Sequence, residues 1–149
     1  MIGEEDRAPT ADELDRMRAL VRQAMDEGAM GVSTALEYAP APYAKTDELI
    51  ALASEAAKYG GIYATHMRSE GDGIMDALEE TSRIGREAKI PVEIWHLKVA
   101  GKANWGRMPD VVKFIERARA SGLDISANTY AYTCLLYTSS IGPHEHLTT

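Results

Sequence analysis

The sequence predicts an α/β fold, a partial (β/α)₈ TIM barrel of about four βα units with parallel strands. Helix-like and strand-like segments alternate four times, and the predicted strands begin near residues 32, 62, 92 and 124. This spacing of about 30 residues is typical of βα units, whose right-handed crossovers produce parallel strands. A closed eight-stranded barrel takes about 250 residues, so 149 residues form part of a barrel or a small doubly wound sheet.

Four helices are predicted from apolar residues at helical spacing and from the residues at the helix starts. Thr10 and Glu13 are expected to form a capping box before the first helix. Thr46 and Asp72 are expected to cap the second and third helices. Pro109, a favoured residue of a first helical turn, marks the start of the fourth.

Each predicted helix is followed by a short strand rich in β-branched and apolar residues. The strands are predicted over residues 31–36, 62–66, 92–96 and 124–130. The barrel part is expected to span residues 1–133, because the repeating pattern stops there. Residues 134–149 are rich in Ser, Thr, Gly and Pro, and we predict an irregular tail. A non-native scar of cloning or translation is one hypothesis for its origin.

Composition and charge exclude several classes of protein. A hydrophobic content of 45% excludes a disordered chain, and no apolar run approaches the roughly 20 residues of a membrane span. The net charge of −7, with acidic and basic residues interleaved, argues against a nucleic-acid partner. One cysteine, Cys134, excludes an internal disulfide, and the acidic N-terminus does not resemble a signal peptide. We therefore expect a cytoplasmic protein.

Two histidines occupy matching positions in successive predicted strands. His66 ends the segment GIYATH and His96 ends PVEIWH, each near the carboxyl end of its strand. In a parallel α/β barrel that end forms the catalytic face, and neighbouring strands lie roughly 4.8 Å apart. Neutral imidazole is a good zinc ligand, so the pair predicts a shared metal site. The alternative is that both histidines are inert polar residues at strand ends.

Arg68 and Lys98 each follow one of these histidines by two residues. Alternation along a strand would give each the same facing as its histidine, where it could bind a substrate carboxylate. The alternative for both is a solvated loop charge.

The remaining candidate residues have simpler interpretations. Glu70 and Asp72 could be acids of a functional site, but we favour their interpretation as acids at a helix N-terminus, where the helix dipole stabilises them. His144 and His146 form an H-x-H pair in the polar tail, which we attribute to chance. Cys134 is interpreted as an incidental thiol, since no pattern places a base beside it.

Three stretches carry a family resemblance, namely GAMGVSTALEYAPAPYAKTDELIALA, YGGIYATHMRSEGDGIMDALEE and HLKVAGKANWGR. Through them, residues 1–132 resemble the D-aminoacylase (N-acyl-D-amino-acid deacylase) family of the amidohydrolase superfamily. Members of this family are metal-dependent barrels with a small additional β domain. They hydrolyse the amide bond of small-molecule N-acyl-D-amino acids to a carboxylate and a D-amino acid. The resemblance implies that this chain is an internal fragment holding strands four to seven of the barrel.

The resemblance also implies roles for individual residues. His66 and His96 match the zinc-ligand histidines of the fifth and sixth strands, and Tyr38 and Lys98 match residues of the substrate pocket. The H-x-H pair and cysteine that complete the family's metal site, and its general-base aspartate, are expected outside this chain. We therefore assign no catalytic residue here. We expect one or two zinc ions in the parent protein, weak or absent zinc binding in the isolated fragment, and no activity from that fragment. The rest of the parent chain would be needed to close the barrel.

Two alternative functions remain open from the sequence. One is another amidohydrolase activity, such as hydrolysis of a cyclic amide. The other is a non-catalytic α/β module that binds a partner or a small acid and needs no zinc.

Overall fold

The computed structural model describes residues 2–130, which form a four-stranded parallel sheet and four α-helices. The predictions for the tail, including those for Cys134, His144 and His146, lie outside these residues. In chain order the helices are α1 (Ala11–Asp26), α2 (Thr46–Ala57), α3 (Ile74–Ala88) and α4 (Met108–Ala120). The strands are β1 (Gly31–Ala35), β2 (Ile62–His66), β3 (Val92–Ile94) and β4 (Ile125–Ala127). None of the helices described is long and apolar enough to cross a membrane.

The strands lie in the sheet in the order of the sequence, and each pairs in parallel with the next. The helices contact one another in the same order, α1 with α2, α2 with α3 and α3 with α4, so they form a layer along the sheet. A doubly wound sheet departs from sequential strand order where the chain reverses. The sequential order therefore confirms the predicted barrel-type α/β fold.

The predicted cap of the first helix is confirmed, and those of the next two are wrong. The Thr10 side chain accepts the Glu13 backbone N–H, and the Glu13 carboxylate accepts the Thr10 N–H in return. Thr46 is instead the first residue of α2, and its hydroxyl donates to a carboxylate of α3 at 2.8 Å. Asp72 precedes the N-cap Gly73 and accepts a hydrogen bond from the Asn104 side chain at 2.7 Å. Each of these two side chains therefore connects two segments that are distant in the sequence, and the sequence alone does not show that they are neighbours.

Three of the four strands are shorter than predicted, and β2 has the predicted bounds. The third strand was predicted to continue to residue 96, but β3 ends at Ile94 because the chain turns at the next two residues. His96 has a φ of 42°, in the left-handed region, which interrupts the extended backbone. The turn places this histidine beyond the last paired residue of its strand.

The core lies between the sheet and the helix layer. Side chains on both sides of this interface are almost completely buried, including Tyr63, Leu78, Ile84, Ile94 and Ile125. In β2, alternation places Tyr63 and Thr65 on the face opposite to that of Ala64 and His66. Because Tyr63 belongs to the buried core, His66 is directed to the other face of the sheet.

A buried acid joins α1 to α2. Glu55 is fully buried, and its carboxylate lies 2.6 Å from Lys58 Nζ, 2.6 Å from Arg18 Nη2 and 3.3 Å from Arg22 Nη1. Hydrogen bonds from Lys58, and then those from the two arginines, lower the pKa of Glu55 to about 2 although burial opposes this shift. The charged form of Glu55 therefore stabilises the contact between these helices.

We expect the network around Glu55 to make the fold sensitive to acid. A carboxylate whose pKa is lower in the folded state adds stability above its unfolded pKa, near 4.5, and that stability is lost as the pH falls towards 2. Glu55→Gln should lower the free energy of unfolding at pH 7 by roughly 1–2 kcal/mol and flatten its decline between pH 5 and 2. Urea unfolding at several pH values measures this change. Glu79→Gln, at an exposed position of α3, is the control, and equal pH profiles for the two variants would contradict the prediction.

Candidate metal centre

His66 and His96 converge at the carboxyl ends of neighbouring strands, as the sequence predicts. His66 is the last residue of β2 and is 8% exposed. Its Nδ1 lies 3.0 Å from Nε2 of His96, and the ring centroids are 4.5 Å apart. The two rings meet nearly edge to face, so one nitrogen of each ring is directed at the other.

Asn128 holds the turn that carries His96. Its side-chain oxygen accepts the His96 backbone N–H at 2.7 Å, and its carbonyl accepts the Leu97 N–H at 2.8 Å. Its own N–H donates to the Ile94 carbonyl at 3.0 Å. These three bonds stabilise the left-handed conformation of His96, which costs roughly 1 kcal/mol or more for a residue with a side chain. The sequence analysis did not identify Asn128, because its role depends on pairing between distant segments.

Glu70 is part of the cluster, which supports the alternative of a site acid over the favoured interpretation as an acid at a helix N-terminus. It is 6% exposed and lies in the loop after β2, ahead of the first residue of α3. Its Oε1 lies 2.9 Å from Nδ1 of His96 and 4.0 Å from Nε2 of His66, and its carboxylate forms a close ion pair with Lys98. Its carbonyl accepts the Ala100 N–H at 2.7 Å. This contact between loops accounts for the burial, which local sequence does not indicate.

Lys98 and Tyr38 also reach the cluster. Lys98 Nζ lies 3.0 Å from Nδ1 of His96 and 5.7 Å from the centroid of the Tyr130 ring. The Tyr38 ring lies 5.1 Å from the His66 ring and is 60% exposed. Strand alternation does not explain the position of Lys98, because β3 ends before His96. The loop that follows the turn brings it to the site.

Arg68 does not join the cluster. Its guanidinium pairs with Glu80 at 2.8 Å and donates to the carbonyls of Pro42 and Ala44 at 2.7 and 2.9 Å. The hydrogen bonds to Glu80 raise the pKa of Arg68. The alternation argument fails here because β2 ends at His66. In this structure Arg68 joins α3 to the loop after β1, and its predicted substrate contact has no geometric support.

Glu37 is a site residue that the sequence analysis missed. It follows β1 directly in a turn, and its Oε2 lies 2.7 Å from Nε2 of His66. The side chain is 45% exposed. No sequence motif indicates this contact, since it depends on the β1–β2 register that places Ala35 opposite His66.

Sequence comparison relates this chain to bacterial deacylases, although no family model matches it. It is 48% identical over 126 residues to a D-aminoacylase of Alcaligenes xylosoxydans xylosoxydans, covering 85% of this chain and 26% of that protein. An N-acyl-D-glutamate deacylase of the same organism is 36% identical over 124 residues, covering 83% of this chain and 25% of that protein. Over most of its length the chain is similar to D-aminoacylases and related N-acyl-D-amino-acid deacylases. It spans about a quarter of the length of the curated relatives it matches.

Solved structures agree with this assignment. A D-aminoacylase crystal structure, described as defining a subset of amidohydrolases, has a TM-score of 0.84 and 46% identity over 88% of this chain and 27% of its own. An N-acyl-D-glutamate deacylase of Bordetella bronchiseptica, solved with zinc and a phosphonate inhibitor, has a TM-score of 0.82 and 36% identity over 86% of this chain and 27% of its own. A D-hydantoinase at 15% identity and a TM-score of 0.53 supports the fold alone.

The donor set of this chain fits a metal ion. One ligand atom from each of His66, Glu70 and His96 can be chosen so that all three lie within 4.8 Å of one another. Two nitrogens bound to the same tetrahedral zinc at 2.0–2.1 Å are about 3.3 Å apart, close to the 3.0 Å between the facing nitrogens here. Imidazole nitrogens with a carboxylate oxygen are a common zinc donor set. The predicted metal roles of both histidines remain predictions that this geometry supports.

Proposed function

We propose that this chain is part of a zinc-dependent hydrolase that deacylates N-acyl-D-amino acids. The observation that supports it most strongly is the pair of ring nitrogens, His66 Nδ1 and His96 Nε2, that lie 3.0 Å apart at the ends of adjacent parallel strands. The carboxyl ends of barrel strands are where catalytic groups of this fold lie. The deacylase names of the relatives supply the reaction class and the acyl-D-amino-acid substrate.

Each residue of the site would then have a separate role. His66 and His96 would hold the zinc ion, which when bound acts as a Lewis acid towards the amide carbonyl and activates a water molecule. Lys98 would bind the carboxylate of the D-amino acid as a point charge. Glu70 forms an ion pair with Lys98, which neutralises part of the positive charge of Lys98 and holds its ammonium group beside His96. Tyr38 would line the pocket from the other side of the histidine pair.

The remaining metal ligands and the general base would belong to the rest of a longer protein. Relatives are about four times the length of the stretch that matches here, since the matches cover 23–26% of them. The same proposal accounts for the open edges of the sheet, because the edge strands β1 and β4 would pair with further strands of a closed barrel.

Lys98→Ala, made in the longer protein, tests the proposed substrate. We expect kcat/KM for an N-acyl-D-amino acid to fall by roughly 10- to 100-fold, mainly through KM, because a charged hydrogen bond to the carboxylate is lost. Lys98→Arg should retain part of the activity, since it keeps a cation at the site. An N-acyl amine without a carboxylate is the control substrate, and its hydrolysis should change little. An equal loss on both substrates, or a preference for cyclic amides, would refute the proposed substrate.

A further inference from the structure

Glu37 faces the nitrogen of His66 that is turned away from His96. We propose that Glu37 is a positioning residue, which keeps the proton of His66 on Nε2 and so leaves the lone pair of Nδ1 directed at His96. This inference rests on the proposed function, in which that lone pair binds zinc. It assigns a role to a carboxylate that is not itself among the clustered metal donors.

The backbone around Glu37 fixes the position of its carboxylate. The residue before it, Leu36, is 1% exposed, and its N–H donates to the His66 carbonyl at 3.0 Å. The residue after it, Tyr38, packs its ring against the His66 ring. Three consecutive residues therefore contact the same histidine through its carbonyl, its outer nitrogen and its ring face. The contact of Glu37 is thus part of an organised local structure, although the side chain is half exposed.

The chemistry of the two partners determines which nitrogen carries the proton. A neutral imidazole has one N–H and one lone pair, and an ionised carboxylate can only accept. At 2.7 Å from Glu37, Nε2 of His66 is therefore the donor, and Nδ1 retains its lone pair. At His96, Nδ1 faces both a donor, Lys98 Nζ at 3.0 Å, and an acceptor, Glu70 Oε1 at 2.9 Å. The position of the proton on His66 is therefore assigned from Glu37 alone.

With the proton of His66 on Nε2, the lone pair of its Nδ1 faces Nε2 of His96 at 3.0 Å. A metal ion would be held by the two facing nitrogens, which must both be unprotonated to bind it. His96 would then carry its own proton on Nδ1, beside the Glu70 carboxylate. Glu37 serves in the same way with and without the metal ion, because Nε2 of His66 remains its donor. Partners of this kind, which hydrogen-bond the outer nitrogen of a ligand histidine, typically contribute 10- to 100-fold to metal affinity.

The test uses the full 149-residue chain labelled with ¹⁵N-histidine, without metal and with zinc. Long-range ¹H–¹⁵N spectra report which nitrogen of each histidine is protonated. We expect the Nε2–H form for His66 in the unsubstituted chain, a mixture in Glu37→Gln, whose amide can donate or accept, and the Nδ1–H form in Glu37→Lys, which can only donate. Zinc affinity, measured by competition with a chelator, should fall by roughly 10- to 100-fold in Glu37→Gln.

Glu116→Gln, at an exposed position of α4, is the matched control and should change neither readout. Circular dichroism of each variant confirms that the fold persists, as expected for a half-exposed turn residue. An unchanged His66 tautomer in both Glu37 variants would refute the inference. If the unsubstituted chain binds no zinc, the proposed metal site fails, while the tautomers measured without metal still test the role of Glu37.

Discussion

His66→Ala and His96→Ala are each expected to lower the zinc affinity of the chain by two orders of magnitude or more. The two facing nitrogens are the principal donors of the centre, and neither histidine alone supplies enough ligands for a zinc ion that takes at least three from protein. Chelator competition measures the affinity directly. A rise of the thermal midpoint with zinc provides a second measurement, because a ligand that binds only the folded state stabilises it.

The two other histidines of the chain supply matched controls for this prediction. His144→Ala and His146→Ala remove the same side chain from the tail, and their zinc affinity should equal that of the unsubstituted chain. A variant at His66 that retains full affinity would refute the proposed centre. Equal losses in all four variants would show that the H-x-H pair of the tail takes part, contrary to its interpretation as a chance pair.

The parts of the site that could be predicted from sequence are those fixed by periodicity. The spacing of about 30 residues placed His66 and His96 on successive βα units. Parallel strand pairing then brings the carboxyl ends of neighbouring strands together. This argument needs no knowledge of loops, and it holds although His96 lies in a turn beyond its strand. The family resemblance was specific for the same reason, since its motifs surround these strand ends.

The residues that the sequence did not reveal owe their roles to contacts between loops. Glu70 is buried because the loop after β3 packs on it through Ala100. The sequence SEGDG alone is equally consistent with the solvated start of a helix. Glu37 reaches His66 only through the β1–β2 register. Arg68 was assigned to the pocket by extending strand alternation past the end of β2, where the chain no longer alternates. The alternation argument for Arg68 therefore fails at the end of β2, and its contact with a substrate stays a prediction.

The zinc-loaded 149-residue chain, taken alone, is expected to release no D-amino acid from an N-acyl-D-amino acid. Hydrolysis needs a group that accepts the proton of the attacking water, a contribution of roughly 10²–10⁴-fold in rate. Within residues 2–130, both carboxylates of the centre already have partners, Glu37 at His66 and Glu70 at Lys98. Neither is therefore placed to act as a general base while these contacts persist. The described sheet also ends at β1 and β4, so these four strands do not close into a barrel around the centre.

The assay compares the purified chain and zinc with zinc alone, with the related D-aminoacylase of Alcaligenes as the positive control, and measures free D-amino acid. Turnover at the level of zinc alone is the expected result. Zinc-dependent turnover that disappears in both His66→Ala and His96→Ala would contradict it. The missing groups would then come from His144 and His146 or from a second copy of the chain, because residues 2–130 hold only one cluster of three metal donors. If a second copy supplies them, the activity should rise with the square of protein concentration at high dilution, whereas a single chain would give a linear dependence.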